Sequence, residues 1–96
     1  MKINVNLKDY VQRDEAVWGN LDDITKTGIY RVMSNYVTGG YPQGWNIDGS
    51  ALIHIQAGTA SHQILMVWYA TTAPNMFIRK KSSAGWSDWW RVTFNS

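Results

Sequence analysis

Turn-forming residues interrupt this chain at short, regular intervals, and the apolar runs between them are too short for helices. Lys26-Thr27-Gly28 turns the chain, and the long stretch Ser34–Gly44 holds Gly39, Gly40, Pro42 and Gly44. Gly58–Ser61, Thr71-Thr72-Ala73-Pro74-Asn75 and Ser82-Ser83-Ala84-Gly85 follow. Such clusters at spacings of roughly 8–12 residues mark an all-β domain. No segment after Thr25 keeps a helical period for three turns.

The runs themselves read as strands. Ile29–Met33 is β-branched and aromatic. Ala51–Ala57 alternates, with Ile53, Ile55 and Ala57 on one face and Leu52, His54 and Gln56 on the other. Gln63–Ala70 is apolar on both faces, the pattern of a central strand covered on each side. Met76–Lys80 and Trp86–Phe94 complete the set. The expected fold is all-β: a small antiparallel sheet or sandwich-like knob.

The first twenty residues differ. Ile3, Val5 and Leu7 alternate like a strand, while Leu7, Tyr10 and Val11 fit a short helix capped by Asn6. Both readings stay open. Asp14–Asn20 reads as a loop, and Leu21–Ile24 as one helical turn. The expected organisation is an N-terminal linker or shaft-like segment over 1–20 and a β knob over 21–96.

Several function classes are disfavoured by what the 96 residues contain. With no cysteine there is neither a disulfide nor a thiolate metal site. The run Ile64–Ala70 is far shorter than the ~20 residues that span a bilayer. Met1-Lys2 is not followed by an apolar core, so no membrane insertion and no signal peptide are expected. The net charge of +2 is low for a nucleic-acid binder, although Arg79, Lys80, Lys81 and Arg91 make the end of the chain locally cationic. Ser61 and His62 are neighbours on a strand and point to opposite faces, which rules out a direct nucleophile–base pair. His54 and His62 are too few for a metal site in one chain; only a threefold assembly would gather three copies of one of them. Asp48 and Asp88 are not brought together by anything in the sequence, and Gly39-Gly40 opens no helix that would cradle phosphate. The expectation is a binding protein, not an enzyme, with no cofactor and no metal.

Six Trp, five Tyr and two Phe are the remaining signal. Exposed indole and phenol rings offer flat apolar platforms with a polar edge, suited to the CH faces of sugars. Tyr41 and Trp45 lie in the Gly/Pro-rich loop, where burial is least assured. Trp68 reads as core; Tyr69 points the other way, as core or with a wet hydroxyl. Strict alternation along the last strand puts Trp86, Trp90, Val92 and Phe94 inward and leaves Trp89 and Arg91 outward. Arg79 and Lys81 share a face from which they can stack on exposed rings. The candidate ligand-binding residues are therefore Tyr41, Trp45, Tyr69, Arg79 and Trp89.

Four motifs in order carry a family resemblance. Leu21-Asp22-Asp23-Ile24-Thr25-Lys26-Thr27-Gly28-Ile29-Tyr30-Arg31-Val32 resembles the opening of the pyocin-type knob domains of phage and phage-like tail fibres. Gln63-Ile64, Phe77-Ile78-Arg79 and Gly85-Trp86-Ser87-Asp88-Trp89 with Val92 follow in that family's order, over about residues 20 to 93. The resemblance implies a distal, receptor-binding part of a tail fibre, assembled as a homotrimer and directed at a bacterial cell-surface polysaccharide. It places the protein in the virion or an extracellular phage-tail-like particle. The aromatic-rich Ser34–Ile47 loop and the pair Trp89-Trp90 depart from the family pattern. The alternative is a structural oligomerisation cap or spacer of a fibre, with Trp89 against sister chains and no ligand site of its own.

Overall fold

Alternation of buried and exposed residues runs through every long strand of the computed structural model, which describes residues 15–68 and 75–92. The short strands β1 (Glu15–Ala16) and β2 (Gly19–Asn20) lead into a single 3₁₀ turn, Leu21–Asp23, capped where Asn20 Oδ1 accepts from Asp22 N at 2.8 Å. Then come β3 (Gly28–Val32), β4 (Val37–Gly39), β5 (Ser50–Ala57), β6 (Ala60–Val67), β7 (Asn75–Ser82), β8 (Gly85–Trp86) and β9 (Trp90–Val92). The main sheet runs β1-β3-β5-β6-β7-β8, with β9 also on β7; β2 and β4 form a separate pair. The all-β expectation holds, but the sheet is mixed. β1 lies parallel to β3 and β2 parallel to β4, while all other pairs are antiparallel.

Register sorts the sheet into cross-strand rows. On the inner face Tyr30, Leu52, Leu65 and Phe77 stand in line, and Gly28, His54, Gln63 and Arg79 form the next line. The apolar line makes the core together with Val32 and Val67. It is covered by Val17, Leu21, Val37 and Ile47 from the segments on either side of β3. Leu21, Val32, Leu52 and Leu65 are fully buried, each contributing about 1.5–3 kcal/mol through lost contact with water. Tyr30 joins the core while its hydroxyl donates to Lys26 O at 2.6 Å.

Residues 15–20, set aside by the sequence as part of a linker, are built into this domain. Val17 is buried, its N–H bonds Arg31 O at 2.9 Å, and Trp18 stacks on Tyr36 at 4.0 Å. The open strand-or-helix question over residues 3–11 lies outside the described residues. So do Tyr69, the Thr71–Pro74 loop and Phe94.

Two inside–outside expectations are corrected. Trp68, read as core, is 73% exposed, and β6 is covered on one face only. Trp90, read as inward, is 70% exposed, whereas Trp89, read as outward, packs partly buried against the core. The cause of the second reversal is a bulge. Lys81 pairs with Trp86 and Ile78 with Trp90, so three residues, Ser87–Trp89, oppose two on β7. Ser87 anchors the bulge through its N–H to Lys80 O (2.8 Å) and its Oγ accepting from Lys80 N (3.1 Å). One extra residue moves every later side chain to the opposite face.

Candidate functional site

The inner polar row leads into a cleft. Arg79 is buried on β7, and its Nε and Nη2 both donate to Gln63 Oε1, at 2.9 and 2.7 Å. Its Nη1 meets Asp22 Oδ1 at 2.8 Å. Its guanidinium carbon lies 4.0 Å from the Trp86 ring centroid and 4.5 Å from that of Trp89, held between the two indoles. Burial lowers the Arg79 pKa, with the hydrogen bond and charge of Asp22 opposing that shift. The group stays cationic, since a guanidinium does not give up its proton in a protein.

Because Arg79 can only donate, the neighbouring amides have fixed orientations. Gln63 presents Oε1 to Arg79, so its Nε2 donates to Leu21 O at 2.8 Å and to His54 Nδ1 at 3.1 Å. His54 Nδ1 therefore accepts, and its proton sits on Nε2, facing Gln56 Oε1 at 2.9 Å. Gln56 Oε1 also accepts from Ser61 Oγ at 2.8 Å, and its Nε2 donates to Gly58 O at 2.9 Å. Burial is the main reason that the pKa of His54 lies below its ordinary 6.5. Arg79 and His62 lower it further, and the bond to Gln56 opposes them.

The two indoles are pinned at their polar ends, Trp86 Nε1 donating to Asp22 O at 3.3 Å and Trp89 Nε1 to Gly40 O at 2.8 Å. Trp45 rests edge-on against Phe77 at 5.0 Å and lies under Arg91, 4.9 Å from its ring centroid. Arg91 is held there by Asn75 Oδ1 at 2.7 Å. Tyr41 and Pro42 carry the loop across, and with Trp45, Phe77, Arg79, Trp86 and Trp89 they enclose an open cleft of about 590 Å³. Tyr41, Gln43 and Asp88 stand exposed at its rim, with Trp45, Trp86 and Trp89 as aromatic walls and Arg79 as the floor.

Four of the five candidates from the sequence thus meet in one place: Tyr41, Trp45, Arg79 and Trp89. Arg79 is the floor, not the exposed cation the sequence suggested, and Trp89 is a wall, not a projecting ring. Lys81 lies 6.0 Å from the Trp86 centroid, at the margin. The sequence reading missed Asp22, Gln43, Trp86 and Asp88 as cleft residues. Asp22 and Arg79 are 57 positions apart, and no local pattern joins them. Trp86 was concealed by the assumption that an inward ring is only core.

The two imidazoles that flank the Gly58 turn lie on opposite faces, His54 buried and His62 exposed. Among the described residues no group of three or more His, Cys, Asp or Glu is placed to hold a metal ion. Among them, too, no helix is long and apolar enough to cross a membrane. Comparison of the chain with protein-family models, curated proteins and solved structures returned no match.

Proposed function

We propose that this domain is the receptor-binding part of a phage tail fibre or tail spike, carried in the virion, that attaches to a bacterial cell-surface polysaccharide through the Tyr41–Trp45–Trp89 cleft. The observation that carries this reading is the convergence of three aromatic walls with exposed hydrogen-bonding side chains at one opening. Stacked rings suit the apolar faces of sugar rings, and Gln43 and Asp88 suit their hydroxyls. The order of knob-like motifs supports the same reading. Asp22 is engaged by Arg79, and the role assigned to the cleft is recognition without catalysis.

The test is titration of the protein with capsular or O-antigen fragments, read by tryptophan fluorescence, alongside binding to whole cells. Tyr41→Ala and Asp88→Ala, both exposed, are expected to weaken binding about tenfold or more, or ~1.4 kcal/mol, with unfolding midpoints unchanged. Failure to bind any host envelope fraction overturns the proposal. So does release of reducing ends from the glycan, which would make the protein a depolymerase.

A structural cap is the second reading. Its original form, with Trp89 between sister chains, is not favoured by a ring pinned to Gly40 and packed on the core. What favours a structural role is the opposite face of the sheet.

A further inference from the structure

On the outer face, register lines up Ile29, Ile53, Ile64, Ile78 and Trp90 in one row across five strands. Beside it run Ala51, Met66, Met76 and Val92, with Arg31 at the β3 end. Ile55, His62 and Lys80 form a shorter third row. Trp68 lies beyond Met66 with its indole over Gly49. Ile29, Ile55, Met66, Ile78, Trp68 and Trp90 are all 41% exposed or more. A shallow groove of about 470 Å³ runs past Ile55, Ile64, Ile78 and Trp90. These rows contain no acid, and the cations Arg31 and Lys80 stand outside the central row.

Its composition is that of an interior surface, yet Ile29, Ile55, Met66, Ile78 and Trp90 stay exposed. The six exposed side chains leave on the order of 600 Å² open to water, at the top of the range for the largest apolar patch on a monomer. It is close to the ~800 Å² that each partner gives to an interface of standard size. β-branched and sulfur-containing side chains on a broad sheet interdigitate well with another such sheet, ~10 Å away. The rows offer few groups to pair with a glycan's hydroxyls. They match a second surface of their own kind.

We infer that a second copy of this chain packs here, outer sheet face against outer sheet face. The inference is independent of what the cleft binds. The full chain has no cysteine, so Ile78→Cys can report on the face and Ser83→Cys, on an exposed turn, can serve as control. From about 0.1 to about 100 µM, the sedimenting mass is expected to rise to at least twice that of one chain. Over the same range maleimide labelling of Ile78→Cys should slow by about tenfold while Ser83→Cys is unaffected. Ile78→Asp and Trp90→Ser, both at solvent-facing positions, should shift the association midpoint upward by about a hundredfold or more. A chain still monomeric at the highest concentration overturns the inference. So does association that leaves Ile78→Cys fully reactive, which would place the contact elsewhere. Protection independent of concentration overturns it as well, since that would mean a cover from the chain itself, such as the apolar residues between Ile3 and Val11.

Discussion

At the scale of single residues, the polar row is a one-way series of donors set by Arg79. Its forked hydrogen bonds fix Gln63, Gln63 fixes the His54 tautomer, and His54 points its proton at Gln56. A proton added at His54 Nδ1 would face the Gln63 amide hydrogens, and relieving that clash means turning Gln63 away from Arg79. Folding therefore favours neutral His54, in line with a pKa that burial lowers. The unfolded chain takes up this proton near pH 6.5, and the folded chain only at lower pH. The contribution is complete above pH 6.5 and falls as acid is added, at up to about 1.4 kcal/mol per pH unit, until the folded value is passed. Urea midpoints measured between pH 7.5 and 5.5 should show this decline, and His54→Gln should flatten it. A wild-type midpoint that stays level across that range would rule out the neutral, donor-locked histidine.

At the scale of elements, β3, β5, β6 and β7 are legible as strands from turn residues with β-branched content in β3, alternation in β5 and an apolar run in β6. Which face they bury is not. β5 turns His54 inward and Ile53 and Ile55 outward, against the usual preference, because the inner polar row is internally satisfied. The bulge at Ser87–Trp89 was equally hidden: a single added residue leaves no composition signal, yet it exchanges the places of Trp89 and Trp90. The stretch Ser34–Gly44 read as a loop throughout, but it holds the strand β4 (Val37–Gly39) and fits closely on the 3₁₀ turn, neither of which the turn residues announce. That fit gives a test. Gly40 has φ +82°, and a Cβ there would strike Asn20 Oδ1 and the Asp22 carboxylate. Gly44 has φ +80° but open space around it. Gly44→Ala should cost about 1 kcal/mol from backbone strain alone. Gly40→Ala should cost about 2–3 kcal/mol by adding displacement of the cap. Equal losses in urea unfolding would mean that the loop does not rest on the turn as described.

At the scale of the whole molecule, the sheet separates two surfaces of different character. The aromatic cleft rises from the inner face at Phe77 and Arg79, and the isoleucine row occupies the outer face of the same strands. A side chain on β7 belongs to one surface or the other according to parity alone: Arg79 to the cleft, Ile78 to the apolar row. Residues that shape one surface can therefore vary without entering the other. Copies joined through their outer faces, as inferred above, would turn their clefts away from each other. If the cleft holds sugar as proposed, a repeating polymer long enough to reach round the pair engages both clefts, and a short fragment only one. Effective concentration within such an assembly typically multiplies apparent affinity by about 10²–10⁴ without any new contact. Long host polysaccharide should accordingly bind far more tightly than its single repeat, and Ile78→Asp should abolish that difference while leaving fragment affinity unchanged. Retention of the full polymer advantage by a monomeric variant would show that avidity has another origin. On that proposal, the parity of one strand would decide how a weak contact with one repeat unit becomes durable attachment to a surface built of many.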